Sequence, residues 1–301
     1  MKLKLDHFKK YQNLYLQNYS LSNDKVQHLK AILKDIIFDV HRVCEKYNVF
    51  YSAAFGTVLG AVRHQGFIPW DDDLDIYSDR KNFILLCKYL DIEYPNKYFY
   101  SIPGYVKHDP CRFGKIMLKN TKYIEVDYAG CKKISRGIGI DVFLLDHIPN
   151  SKFPRFLAKQ YNKFLSIACS SSFDFKYPSP IILEESKKSK ELKKYYNKRR
   201  FIGFFFSWLP IRWWVKLHVL SSKICKNSNF LCSKNSAYSF KNIYDKSLFE
   251  NMIDVKFEDI QIKIPKNYEA YLKKVYGDWR IIPKDADKQV HILVDIDFGC
   301  Y

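Results

Sequence analysis

Four aspartates, Asp71, Asp72, Asp73 and Asp75, fall within five positions of a segment reading IPWDDDLDIYS. In an extended chain alternate side chains share a face, so Asp71, Asp73 and Asp75 project together. Like charges held a few ångströms apart raise one another's pKa unless a cation neutralises them. Carboxylate oxygens in this number suit a hard divalent ion, Mg2+ or Mn2+. A third carboxylate from a neighbouring strand would complete a site that grips a phosphate through the metal. Asp141, in ISRGIGIDVFLLD, is placed to supply it. Acid clusters without function are common on surfaces, but this one lies between Trp70 and the alternating Leu74 and Ile76.

Upstream, Gly56 and Thr57, followed by Gly60, read as a turn that brings backbone N–H groups and a hydroxyl close to a phosphate. Arg63 and Lys115 are the cations expected to face a diphosphate. Taken alone the Gly-Thr pair is an ordinary turn, and only its combination with the aspartates points to phosphoryl chemistry.

The elements that must position these residues are legible in outline. Val26, Leu29, Leu33, Ile36, Ile37, Val40, Val43 and Tyr47 recur at spacings of three and four, predicting an amphipathic helix over 24–47 with Ser22 or Asn23 as its N-cap. The acidic segment alternates like a strand, and a shorter helix is expected over 79–90 with Phe83, Cys87 and Leu90 inward. Segments 113–128 and 134–149 read as strands of one sheet. In the second, Ile138, Ile140, Val142 and Leu144 share one face and Asp141 takes the other.

Beyond Pro149 the composition changes, and 184–200 carries eight basic residues against three acidic, which predicts a solvated helix. The stretch 201–220 is nearly as long as a bilayer span but is interrupted by Pro210, Arg212, Lys216 and His218. Its Trp208, Trp213 and Trp214 beside cations suit a segment lying in the headgroup plane, and a buried helical hairpin explains the same residues. Residues 257–265 read as a strand, 266–280 as a helix stopped at Gly277, and 281–301 as loop and a last strand. The fold class expected is mixed α+β: a catalytic core over 1–149, a helical, basic and aromatic insertion over 150–256, and a segment 257–301 that packs back on the core.

The net charge of the 301 residues, +18, calls for an anionic partner, which a nucleic acid, an acidic membrane or a phosphorylated substrate would all satisfy. Eight scattered cysteines show neither zinc-ligand spacing nor a disulfide framework. The first thirteen residues lack a signal-like apolar run, so a cytoplasmic location with reduced thiols is expected.

The run GTVLGAVRHQGFIPWDDDLDI (56–76) resembles the signature of the LicD family, phosphotransferases of the nucleotidyltransferase fold that are also similar to fukutin-related protein. HRVCEKYNVFY (41–51), FGKIMLKNT (113–121), GIDVFLLD (139–146) and IPKNYEAYLKKVYGDW (264–279) extend the resemblance. It implies a mixed sheet flanked by helices, with Asp73 and Asp75 ligating a catalytic Mg2+ or Mn2+ and Asp141 completing the triad. Gly56 and Thr57 would form the donor-binding turn. His291, within KQVHI (288–292), stands where relatives carry a Lys-Arg pair followed by histidines, and would touch the donor.

The activity implied is transfer of a phosphorylated alcohol, phosphocholine or a polyol phosphate, from a CDP-linked donor such as CDP-choline. The acceptor would be a hydroxyl of a cell-surface glycan precursor, of lipopolysaccharide, capsule or teichoic-acid type, free or lipid-linked, at the inner face of the cell membrane. Two other readings stay open at this level: a nucleotidyltransferase that moves NMP from an NTP, and a basic nucleic-acid-binding protein. The chain carries no zinc-finger, RRM-like or basic-zipper signature, so no nucleic acid is expected as partner.

Overall fold

The computed structural model describes residues 21–234, 239–282 and 292–301. Helix α1 (Asn23–Tyr47) forms where the apolar spacing predicts it, and Leu29, Leu33, Ile36, Ile37, Val40 and Val43 are all buried. Ser22 is its N-cap residue, and Asn48 closes it in the left-handed conformation.

A mixed sheet lies against α1. Its strands run in the order β1 (Ser52–Ala53), β2 (Asp75–Ser78), β6 (Gly139–Ile148), β4 (Gly114–Leu118), β3 (Tyr98–Ser101). Only β2 and β6 pair in parallel; β1, β3 and β4 join by antiparallel ladders. Strand β6 is ten residues long because it serves two sets of neighbours. Its first half pairs with β2 and β4, and Leu145–Ile148 pair with β7 (Phe230–Ser233), which leads to β8 (Tyr244–Asp245). The stretch expected as one strand over 113–128 is divided: β4 belongs to this sheet, while β5 (Lys122–Glu125) pairs with β11 (Leu293–Asp297). A hairpin of β9 (Met252–Phe257) and β10 (Ile260–Pro265) completes the strand set among the described residues.

Helix α2 (Phe55–His64) links β1 to the acidic segment, and α3 (Arg80–Glu93) follows β2. Asp79 caps α3, its carboxylate accepting from the N–H groups of Lys81 and Asn82 at 2.9 Å. Phe83, Leu86, Cys87 and Leu90 of α3 enter the main core as their spacing requires.

After β6 come α4 (Lys152–Lys176), α5 (Pro180–Lys188), α6 (Lys190–Phe206) and α7 (Ile211–Ser222). Helix α4 packs Leu165, Ala168, Cys169 and Phe173 against Ile211, Trp214 and Val215 of α7 in a core of its own. The basic stretch 184–200 is two helices broken at Ser189 rather than one solvated helix, and Leu192 and Tyr196 are buried. Leu231, Tyr244 and Phe249, from the end of the expected insertion, join the main core with α1 and the central sheet. Helix α8 (Tyr268–Tyr276) ends before Gly277, as its sequence indicates. All eight cysteines are free, six of them buried. Among the described residues no helix is long and apolar enough to cross a membrane.

One ion pair ties the helical region to the sheet. Arg80, at the start of α3, donates two hydrogen bonds to Asp146 of β6 at 2.7 and 2.9 Å, and a third to Ser222 Oγ at the end of α7. Burial works to raise the Asp146 carboxyl, but the guanidinium overrides it and holds the group below its ordinary range. Asp146 is therefore a buried anion at neutral pH whose contribution is lost only in acid, as pH falls through the depressed folded-state value. Arg80→Met should destabilise the protein by about 3 kcal/mol, since it strands a buried charge, and Arg80→Met with Asp146→Leu should recover most of that loss. Denaturant titration of the two variants checks both expectations.

Candidate active site

The register of the central sheet builds the site. Asp75 pairs with Asp141 across the parallel β2–β6 ladder, and Lys115 of β4 pairs with Asp141 from the other side. Register partners stand on the same face, so Asp75, Asp141 and Lys115 form a row across three strands. Lys115 Nζ donates to Asp141 Oδ1 at 2.6 Å and lies 3.6 Å from Glu125 of β5. Burial pulls the Lys115 amine down, but Asp141 and Glu125 together raise it well above its usual value, so it remains a cation. At Asp141, burial pushes the carboxyl up, Lys115 pulls it down, and Glu125 and Asp73 add to the upward shift. Asp141, Glu125, Asp73 and Lys115 thus act on one another at short range.

Asp73 precedes β2 rather than lying in it, so the acidic segment is only partly a strand. Alternation nevertheless persists through it: Asp72 and Leu74 are buried while Asp71, Asp73 and Asp75 are partly exposed. Asp72, Asp73, Lys115, Tyr123, Glu125 and Asp141 line a cavity of about 30 Å3, room for one water-sized group. Burial and four surrounding carboxylates, Asp72, Glu125, Asp73 and Asp141, raise the Tyr123 phenol and keep it protonated. On the other side Tyr276 of α8 is raised by burial and by Asp71, Asp75 and Asp73. The acidic segment thus runs between two tyrosines.

Gly56 and Thr57 are not in a loop turn; they form the first turn of α2. The Thr57 hydroxyl accepts from the Asp75 N–H at 2.9 Å and so fixes the start of β2. A Cβ at Gly56 would lie 2.5 Å from an Asp71 carboxylate oxygen, so a side chain there would displace that carboxylate. Phe55, just before it, holds φ +41, a left-handed conformation that costs a non-glycine residue about 1–3 kcal/mol. Its N–H donates to the Tyr271 hydroxyl at 2.7 Å and its ring packs edge-on to Phe143 of β6, and these contacts hold the strained turn in place.

Arg63 is not brought to the row. It stands in the last turn of α2, about 10 Å along the helix from Gly56. Its Nη1 donates to the Trp279 carbonyl at 3.0 Å and its Nε to His64. His291 lies outside the described residues.

Spacing gave no sign of Lys30, yet this α1 side chain, 7% exposed, donates to the carbonyls of Ile68 and Pro69 and pins the loop that carries the aspartates. Tyr123 and Glu125 were also missed, although their alternation on a short strand was available as a signal.

The donor set fits Mg2+ or Mn2+ in kind, being hard carboxylate oxygen. Among the described residues no three His, Cys, Asp or Glu side chains are gathered as a ready cage. Mg2+ does not need one, since it is commonly held by one or two carboxylates together with substrate phosphates. Asp75 beside Asp141, with Asp73 on the cavity shared by Asp141, is compatible with that mode.

Lipopolysaccharide cholinephosphotransferase LicD of Haemophilus influenzae is 24% identical over 270 residues, 87% of this chain and 94% of that protein. Uncharacterised proteins of Rickettsia prowazekii and Rickettsia typhi are each 46% identical over 61 residues, 20% of this chain and 21% and 18% of theirs. Residues 48–164, a span that includes α2, the aspartates, Lys115 and Asp141, match the family described as LicD/FKTN/FKRP, nucleotidyltransferase domain. Residues 48–164 are thus similar to the LicD-family nucleotidyltransferase domain, and the row of charged residues on β2, β6 and β4 lies within that span.

Proposed function

We propose that the protein is a metal-dependent phosphocholine transferase, acting on a hydroxyl of a cell-surface glycan precursor of lipopolysaccharide type with CDP-choline as donor. The observation that carries this reading is the in-register row of Asp75, Asp141 and Lys115. The group and the glycan come from the name of the Haemophilus influenzae relative.

Asp75 and Asp141 would hold Mg2+ or Mn2+, with Asp73 as the third carboxylate, and the ion would supply charge neutralisation at the donor's diphosphate. The bond between the choline-bearing phosphorus and the bridging oxygen breaks. CMP leaves, the acceptor oxygen bonds to that phosphorus, and the hydroxyl proton is lost. Lys115 offers its ammonium to the same phosphates, and Thr57 keeps Asp75 in position by its bond to the Asp75 N–H.

Docking on an anionic bilayer belongs to the same reading, because it would confine the enzyme and a lipid-linked acceptor to one surface. Phe153, Phe156, Leu157 and Phe164 are exposed along one side of α4, and Trp208 and Trp213 are exposed near α7. Lys159 and Lys163 of α4 are exposed among them, so apolar and cationic groups occur together as an interfacial surface requires. Trp214 takes no part: it is buried, and its Nε1 donates to the Phe206 carbonyl at 3.1 Å.

Purified protein with Mg2+, offered CDP-choline, CDP-ethanolamine, CDP-glycerol and CDP-ribitol with and without lipid-linked glycan, should release CMP most rapidly from CDP-choline. Release from a polyol donor instead, or pyrophosphate from an NTP, would replace this assignment. Asp73→Asn and Asp75→Asn should each lower transfer by more than about a hundredfold with the fold intact, as expected for losing a principal electrostatic stabiliser; near-normal turnover at saturating Mg2+ would remove them from metal binding. Asp141→Asn should lose Mg2+ affinity, whereas normal affinity with lost transfer would make Asp141 the base toward the acceptor. Vesicle co-sedimentation should fall with salt and with Trp208→Ala/Trp213→Ala, and binding indifferent to both would refute docking.

A further inference from the structure

Strand β5 has two working faces. Tyr123 and Glu125 line the carboxylate cavity, whereas Lys122 and Ile124, pointing the other way, line a separate cleft. That cleft has a volume of about 740 Å3, within the range of small-ligand sites, and is far larger than the cavity at Asp141.

The cleft's chemistry is one-sided. Among the described residues Lys119, Lys122, Lys132 and Arg136 line it against one acid, Asp295, which lies 3.4 Å from Lys122. Arg136 is the unusual member. It is 5% exposed, its Nη2 donates to Asp109 at 2.7 Å, and its guanidinium lies over the Tyr128 ring at 4.1 Å. Its Nε and Nη1 are buried with no hydrogen-bond partner among the described residues. Arg136 also acts on Lys115 and Glu125 at the carboxylate cavity, so the charge that faces the cleft is chiefly that of the three lysines. The walls add apolar and aromatic surface from Phe99, Ile134 and Val294, suited to the C–H face of a sugar ring.

We propose that this cleft binds a phosphorylated saccharide through its phosphate, as a subsite distinct from the Asp75–Asp141 row. The inference rests on the transferase reading in one respect, that the saccharide is part of the acceptor. Phosphate charge meets Lys122 and Lys132 at the rim, and the sugar lies along the apolar wall. Because β5 forms the wall between cleft and cavity, an acceptor held here is anchored beside the strand that carries Glu125 toward Lys115.

The test uses the full chain and glucose 1-phosphate as probe, with binding followed by titration calorimetry in the absence of metal. Lys122 and Lys132 are exposed, so Lys122→Ala/Lys132→Ala should fold normally, while Arg136 is left intact because its loss would strand Asp109. The double variant should bind the probe at least about tenfold more weakly, the size expected from losing charged hydrogen bonds at a rim, and Asp75→Asn should bind it as the wild type does. CMP release from CDP-choline to water should be unchanged in the lysine variant, while transfer to glycan shows a raised KM for the acceptor. Unchanged probe affinity in the lysine variant, or affinity lost equally in Asp75→Asn, would overturn the subsite. Probe binding that depends on the lysines, in a protein that turns over no CDP-linked donor, would uphold the cleft and overturn the transferase reading alone.

Discussion

The parallel pairing of β2 with β6 is the constraint on which the rest depends. Asp75 opposite Asp141 is a costly juxtaposition of like charges, and nothing in the aspartates themselves would choose it. The apolar residues choose it. Ile76, Val142, Ile140 and Ile116 are all fully buried, and a shift of register by one would send them to the polar face and the aspartates into the core. Burial of the strands' apolar side thus holds the carboxylates together, and Lys115 from β4 offsets part of their repulsion. The loop leading to β2 is fixed by separate means: Lys30 on its carbonyls, Thr57 on the Asp75 N–H, and Tyr271 on the strained Phe55.

Much of this was legible in the sequence where the pattern was local. The helix at 24–47, the inward face of 138–144, the outward Asp141 and the end of the last helix at Gly277 all follow from periodicity or backbone preference, and the structure has them. The resemblance carried by residues 56–76 reached the family and the mixed fold. What failed was non-local or lacked punctuation. Gly56 and Gly60 read as turn residues, yet both lie in α2, and glycine suits Gly60 because a Cβ there would lie 2.4 Å from the Gly66 carbonyl oxygen. Arg63 carries the expected charge, and its guanidinium is engaged by the Trp279 carbonyl and His64. The division of 113–128 between two sheets depends on pairing with β11, some 170 residues away, which no local pattern encodes.

The excess of basic residues is distributed rather than pooled. Arg80, Lys115, Arg136 and Arg199 are drawn into ion pairs with Asp146, Asp141, Asp109 and Asp174, where they hold structure together. Lys122 and Lys132 at the cleft, and Lys159 and Lys163 among the exposed aromatics of α4, are left toward solvent. A phosphorylated, lipid-borne glycan would use both of these surfaces while its hydroxyl reached the carboxylate row, which would give the charge of +18 a use.

The central claim is that sheet register makes Asp75 and Asp141 a joint cation site. Mn2+ binding followed by electron paramagnetic resonance in the presence of CMP, with Mg2+ as competitor, tests it without requiring the acceptor. The account predicts saturable, Mg2+-competed binding in the wild type that is lost in Asp75→Asn/Asp141→Asn while far-ultraviolet circular dichroism stays unchanged. Equal Mn2+ affinity in the wild type and a folded double variant would contradict it.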